Sequence, residues 1–370
     1  MTETARGSMA DDDAAPESFP APPLGNGRSV RRRGAGRPTL DTVARHAGVG
    51  RGTVSRVING SPKVAEDTRA AVLAAIAELG YVPNQAARTL VTQRTDTVAL
   101  VVTESQEWLW SEPFFAGVLR GITEQLAEEN MRLMLTFAPR DGNRSDLEAY
   151  LMGHHVDGVM MVSSHGGDPL PERLEDAGVP IVLCGLPVGL RPVAYVDCDN
   201  RSGARQAVEY LAEKGHQRIG IISGPQDMAV GVDRLNGYRD GLRGHRLPVE
   251  ENLVSYAEGF DEASGIKAAR QLFDTAGELD AVFAASDPLA IATLRVARER
   301  GITVPDDLAL IGFDDSPLAE VSEPPLTTVH QPTETMGREM ARLLCGRVRG
   351  EEDGPLVTIL GTRIIVRESA

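Results

Sequence analysis

Residues 41–59 read DTVARHAGVGRGTVSRVIN, and this stretch has the pattern of a helix-turn-helix. Ala44 lies four residues before Gly48. A small side chain there lets two helices approach, and glycine tolerates the left-handed backbone of a tight turn. Val54, Val57 and Ile58 fall at helical spacing and are expected to face Val43 and Ala47. The opposite face of the second helix carries Arg51, Gly52, Ser55, Arg56 and Asn59. A polar, cationic, hydrogen-bonding face is what a helix needs in a DNA major groove.

Charge is distributed to match. The 370-residue chain has a net charge of −15, which is unfavourable for binding DNA. Yet residues 28–95 hold 12 Lys/Arg against four Asp/Glu, whereas residues 1–27 hold one Arg against five acids. A small basic module is therefore joined to an acidic body, which limits non-specific attachment to phosphate. No apolar run approaches the ~20 residues of a membrane span. Asp11–Asp13 and several prolines stand where a signal peptide would need an apolar stretch, so cytoplasmic residence is expected. Cys184, Cys198 and Cys345 have no metal-ligand spacing and imply no disulfide framework.

Residues 1–37 lack periodic apolar positions and read as a disordered arm ending in the basic run RRRGAGRP at 31–38. That run either tracks phosphates or lies in a minor groove, as homeodomain arms do, or is a plain solubilising linker. After the helix-turn-helix, Glu66–Leu79 places Thr68, Val72, Ala75, Ile76 and Leu79 on one stripe, with Gly80 as the stop. Residues 38–83 are thus a three-helix headpiece. In the following segment, 84–95, Asn84 can cap a helix of about two turns. Such a helix is marginal alone, and its Leu90 has no core to join.

From residue 96 to 370 strands and helices alternate. Strands are expected at 98–102, 133–137, 156–162, 181–184, 219–222, 281–284 and 308–313, and helices at 114–128, 202–214, 262–273 and 289–300. Alternation implies parallel sheets covered on both faces. The segment is too long for one such sheet, so two doubly wound α/β lobes with a cleft between them are expected.

The chain resembles the lactose/galactose repressor (LacI/GalR) family over residues 38 to about 367. The strongest stretch is PTLDTVARHAGVGRGTVSRVINGSPKVAEDTRAAVLAAIAELGYVPNQAARTL at 38–90. Further matches are Pro113-Phe114-Phe115 with Gly121-Ile122, Gly215-His216-Gln217-Arg218-Ile219, Gly224-Pro225, and Arg234 followed by Gly237-Tyr238. Others are Ser286-Asp287, Gly312-Phe313-Asp314-Asp315 and Pro325-Leu326-Thr327-Thr328-Val329. The resemblance implies a repressor of carbohydrate-utilisation genes with a periplasmic-binding-protein-like core. Its implied partners are a pseudopalindromic operator, a small-molecule effector such as a mono- or oligosaccharide, and a second copy of the chain. The assembly is a homodimer or a dimer of dimers; no leucine heptad follows Val366, which favours the dimer. No cofactor, metal or membrane is implied.

By this resemblance DNA contact falls to Thr39, Arg51, Gly52, Thr53, Ser55, Arg56, Asn59, Asn84, Arg88 and Leu90, with Leu90 as a minor-groove wedge. Gly50 departs from the family's usual capping serine, and Gly52 offers no side chain. Base reading then rests on Arg51 and Arg56, each able to take guanine bidentately. Effector contact falls by family position to Phe114, Arg234, Ser286, Asp314 and Gln331. Asparagine is commoner in the family at position 286, so the shorter Ser286 implies a changed ligand contact. Trp108 and Trp110 follow the first core strand, where an aromatic face can stack on a pyranose.

An enzyme is disfavoured: GxxxxGK[ST], GxSxG and a post-strand GxGxxG are all missing from the sequence. His154, His155 and His165 have no partner at ligand spacing and read as solvated loop histidines.

Overall fold

Small residues at the helix-turn-helix corner and long apolar runs beyond residue 96 produce two separate bodies. The computed structural model describes residues 38–58, 61–82, 94–104, 113–138, 143–185, 189, 193–351 and 356–370. They part into two units divided between residues 84 and 85.

The first unit holds α1 (Leu40–His46), α2 (Arg51–Ile58) and α3 (Glu66–Leu79). Thr39 starts α1, its Oγ1 accepting the Thr42 N–H at 3.3 Å. Gly48 takes the left-handed turn at φ +67°, and Gly80 closes α3 at φ +60°. Val43, Ala44, Val54, Val57, Val72, Ala75 and Tyr81 form the core. Ala47, Ile58, Ile76 and Leu79 are only partly covered.

In the second unit the first sheet runs β2 (Arg132–Phe137), β1 (Thr97–Val102), β3 (Gly158–Val162), β4 (Ile181–Cys184), β5 (Tyr195–Cys198), β11 (Val357–Leu360). All its pairs are parallel. The second runs β7 (Val254–Tyr256), β6 (Ile219–Ser223), β8 (Ala281–Ala284), β9 (Ala309–Asp314), β10 (Thr327–His330), β12 (Arg363–Ile365). Only β12 is antiparallel to its neighbour. Central strands such as β1, β3 and β4 are buried, as parallel strands covered on both faces must be. The helices are α4 (Pro113–Glu128), α5 (Ser145–Met152), α6 (Leu170–Asp176), α7 (Asn200–Glu213), α8 (Ala229–Gly244), α9 (Glu262–Thr275), α10 (Asp287–Glu299), α11 (Pro317–Val321) and α12 (Thr333–Arg349).

The chain passes between lobes three times: from β5 into α7, from β10 into α12, and from β11 into β12. Two close helix pairs seat the first two crossings. On α8, Gly237 and Gly241 lie against Arg201, Ala204 and Val208 of α7. Between α4 and α12, a β-carbon on Gly121 would overlap the Glu334 carbonyl oxygen, and one on Gly337 the Val118 carbonyl oxygen.

The strands at 181–184 and 281–284 fall where the pattern puts them. The strand expected from 156 begins at Gly158; β5, β7, β10, β11 and β12 were not anticipated.

Candidate functional site

The exposed face of α2 is built by its buried one. Val54 and Val57 pack inward, which turns Arg51, Gly52 and Arg56 to solvent with Thr53 and Ser55 half-covered. The Gly50 carbonyl accepts the N–H groups of Thr53 at 2.8 Å and Val54 at 3.2 Å, so Gly50 starts the helix through its backbone alone. Arg56 folds back along the helix, its Nε–H donating to the Gly52 carbonyl at 3.2 Å. A β-carbon at position 52 would stand 3.9 Å from that guanidinium, an ordinary contact. Arg51 faces Asp41 of α1 at 3.8 Å across solvent, a weak pair that an incoming phosphate or base can displace. Thr39 is exposed beside this face and spends one acceptor site on its cap. Asn59, Asn84, Arg88 and Leu90 lie outside the described residues, as do Trp108 and Trp110.

The second candidate site is the cleft between the two lobes of the core, a space of about 700 Å³ including its open mouth. Phe114, Arg234, Ser286, Asp314 and Gln331 all line it. So do Ser163, Ser164, Asp197, Asn200 and Phe260, which the sequence reading missed.

Arg234 is 3% exposed and organises the floor. Its Nε–H donates to Asn200 Oδ1 at 2.9 Å. Nη1 donates to the Ala285 carbonyl at 2.5 Å and to Asp314 Oδ1 at 3.3 Å. Nη2 donates to Gln331 Oε1 at 3.0 Å. The guanidinium carbon lies 3.6 Å from the centre of the Phe313 ring, a desolvated cation–π contact. A planar donor fork with a fixed charge suits such a junction where lysine would not.

Asp314 stands at the end of β9 with φ +112°, a backbone region that side chains rarely adopt. Burial pushes its carboxyl up, and the Arg234 charge opposes that. Behind it Asp287 is buried, accepting the Thr328 hydroxyl at 2.6 Å and the Ser316 N–H at 2.7 Å. Its pKa is raised first by burial and then by the Asp314 charge. The next residue, Asp315, turns away to His330 at 2.8 Å and Arg367 at 2.7 Å. Ser286 caps α10 by accepting the Leu289 N–H at 3.3 Å, which leaves its O–H able to donate.

On the other lobe, Asp197 accepts Asn200 Nδ2–H at 2.9 Å and the Cys198 N–H at 2.8 Å. The Ser164 hydroxyl is buried in the cleft wall with no partner among the described residues. His165, next to it, overturns the expectation of a solvated loop histidine. It is 11% exposed and held between Glu104 at 2.7 Å and Asp227 at 2.9 Å. Folding brings these carboxylates to it from 61 and 62 residues away, where spacing along the chain gives no signal.

Among the described residues no helix is long and apolar enough to cross a membrane, and no His, Cys, Asp and Glu cluster could hold a metal ion.

Known proteins share both parts. The profile of bacterial regulatory proteins of the lacI family matches residues 39–84, and that of the periplasmic binding protein-like domain matches 208–370. The HTH-type transcriptional regulator CelR of Thermobifida fusca is 54% identical over 92% of this chain and 99% of its own length. A solved structure described as a transcriptional regulator CelR–cellobiose complex matches with TM-score 0.73 at 52% identity, covering 90% of this chain and 100% of that one. The lac repressor dimer bound to operator and the anti-inducer ONPF matches with TM-score 0.78 at 25% identity, covering 90% and 99%. With the helix-turn-helix at 39–84 and a periplasmic-binding-protein-like domain later in the sequence, the chain belongs to the lacI family of DNA-binding transcriptional regulators.

Proposed function

We propose that the protein is a cytoplasmic, homodimeric repressor of carbohydrate-utilisation genes whose operator affinity is set by a neutral oligosaccharide of the cellobiose type. The charge pattern of the cleft carries the reading. Its only lining cation among the described residues, Arg234, is already committed to Asp314, and Asp197 adds a second carboxylate. Phosphorylated and carboxylated ligands are disfavoured there, since a buried anion needs an uncommitted cation and the two carboxylates repel it. Neutral hydroxyls suit it: Asp197, Asp314 and Gln331 accept, the Ser164 and Ser286 hydroxyls can donate, and Phe114 and Phe260 supply apolar faces. The space of about 700 Å³ falls within the range of small-molecule sites, and the likeness to the CelR–cellobiose complex points the same way.

On the DNA side Arg51 and Arg56 are the base-reading residues. Thr39, Thr53, Ser55 and Asn59 contact backbone or base edges around them. Asn84, Arg88 and Leu90 serve the segment between headpiece and core, which spans residues 84–95 with the headpiece at 38–83. Trp108 and Trp110 stack on the sugar. Calorimetry of the full chain with cellobiose, glucose, glucose 6-phosphate and hypoxanthine tests the effector class. Binding of cellobiose without the phosphate or the purine is the expected result. Preference for the phosphate or the purine would sink the reading.

A further inference from the structure

The Glu104–His165–Asp227 triad sits where the two lobes meet beside the cleft. Glu104 follows β1 and His165 follows β3, both in the first lobe. Asp227 lies between β6 and α8, in the second. His165 adjoins the cleft-lining Ser163 and Ser164, and Asp227 adjoins the cleft-lining Met228 and Ala229. The contact is reinforced by a backbone bond across the same junction, the Gly166 N–H donating to the Asp227 carbonyl at 2.7 Å.

We propose that His165 is a proton-dependent clasp that holds the two lobes closed over the effector cleft. The chemistry lies in the count of ring protons. An imidazolium has two N–H donors, and two carboxylates at 2.7 and 2.9 Å use both. A neutral imidazole has one. Its other nitrogen would then direct a lone pair at a carboxylate oxygen, and one of the two links becomes repulsive. The Glu104 link is internal to one lobe and anchors the ring. The Asp227 link crosses the junction beside the Gly166–Asp227 backbone bond, and its loss weakens the hold between the lobes.

The charged groups acting on His165 among the described residues are these two carboxylates, from the segment after β1 and from the loop before α8. On its own loop the nearest charge in sequence is Asp168, which is paired with Arg144 at 2.6 Å. The hydrogen bond to Glu104 raises the His165 pKa above the ordinary histidine value, partly opposed by burial and helped by Asp227. The sign follows: a histidine whose folded pKa is raised contributes fully below its unfolded pKa and loses that contribution as pH rises through the folded value. The clasp is therefore closed below the native His165 pKa, which lies above the ordinary histidine value, and opens as pH rises through it. If the closed lobes bind effector better, affinity falls by up to about tenfold per pH unit above that midpoint, the limit for one linked proton.

The consequence for affinity rests on reading the cleft as the sugar site, but the lobe motion does not, so the test separates them. Spin labels on Ala177→Cys in the first lobe and Ala263→Cys in the second report the inter-lobe distance in the full, ligand-free chain; both positions are exposed, and the native cysteines are buried. The distance should be short and narrowly distributed near pH 6, and longer or broader near pH 9, with a midpoint above 6.5. His165→Gln and Asp227→Asn should abolish the dependence. Cellobiose titrations over the same range form the second arm. A distance that ignores pH in the parent, or an unchanged pH response in His165→Gln, overturns the clasp even if cellobiose binds. A pH-dependent distance in the parent that both variants lose, with no cellobiose binding, keeps the clasp and refutes the sugar reading.

Discussion

Removing the Arg234 side chain should do two separable things, and their magnitudes differ. Arg234→Met keeps most of the volume and deletes the charge. It strips hydrogen bonds from Asn200, the Ala285 carbonyl, Asp314 and Gln331, all in a junction where Arg234 is 3% exposed. Breaking one side of a buried ion pair costs about 3–5 kcal/mol, because the remaining charge is left without compensation. Asp314, 10% exposed at its side chain, is that remaining charge. It can escape by taking up a proton, so the loss should be smaller near pH 5 than near pH 8. The double variant Arg234→Met/Asp314→Asn removes both charges. It should recover the part of the loss that comes from the uncompensated carboxylate, while the acceptors on Asn200, Ala285 and Gln331 stay without their donor in both variants. Urea unfolding of the core, with effector calorimetry on each variant, measures both quantities. The reasoning fails if Arg234→Met costs under about 1 kcal/mol, or if the double variant's loss is the sum of the two singles, for then no coupling energy links the pair.

Four further outcomes are expected. Gly50→Ser should stabilise the headpiece by a few tenths of a kcal/mol, about the difference between a glycine and a serine cap, because a β-carbon there meets nothing within 4 Å; thermal melting of the full chain with and without operator reads it, and a lowered melting temperature would contradict it. Arg56→Ala should weaken operator binding by about 1–3 kcal/mol and relax preference at one base pair per half-site; equal loss on random DNA would reassign the arginine to phosphate. Gly121→Ala should destabilise the core through the overlap with Glu334, costing about 1–3 kcal/mol as overpacking does; a neutral effect in urea would mean that α4 and α12 part easily. The raised pKa of Asp287 contributes stability that is present below the ordinary carboxylate range and is lost as pH rises through the native value; the stability difference between the parent and Asp287→Asn should therefore move in the variant's favour from pH 5 to pH 8, and a pH-independent difference would exclude it.

Where the chain was legible, local physics had one solution. Gly80 ends α3 because an apolar stripe stops there and a residue with φ +60° is needed. Strands β4 and β8 are continuous apolar runs bounded by breakers, and their limits are readable to the residue. The missed strands share a different character. Tyr195–Cys198 is four residues long and interrupted by Asp197, Thr327–His330 has a single apolar residue among four, and Val254–Tyr256 and Arg363–Ile365 have three residues each. Too few positions remain for a period to show. Among cleft residues, Arg234 and Asp314 were reached through resemblance, not through pattern. Asp197 and Asn200 belong to the polar run DCDN at 197–200, which spans the end of β5 and the start of α7, a cluster that could have been flagged at a strand's carboxyl end. His165 gave no signal, because its partners stand 61 and 62 residues away in sequence, one across its own lobe and one on the other lobe.

The position of those missed residues says how the core can work as a switch. Asp197 and Asn200 lie at the first crossing between lobes, where β5 gives way to α7. Gln331 lies at the second, between β10 and α12. Arg234 donates to Asn200 and to Gln331, so one side chain of α8 ties both crossings together. Hinge closure is absorbed by a few residues at the ends of elements, and these are such residues. With the hinge at these crossings, a ligand bound here would contact open and closed forms differently, since the cleft is lined by both crossing segments. A ligand shifts a conformational equilibrium only by its difference in binding free energy between the two forms, and differential contact is one source of that difference. Gln331→Ala should therefore uncouple more than it weakens: it deletes one of Arg234's two crossing contacts while leaving the ion pair to Asp314 intact. Effector affinity should fall modestly, and the effector's influence on operator affinity should fall further. Operator titrations at saturating and zero effector measure the coupling directly. Were the coupling factor unchanged while effector affinity dropped, Gln331 would be a ligand contact alone, and the crossings would carry no part of the signal.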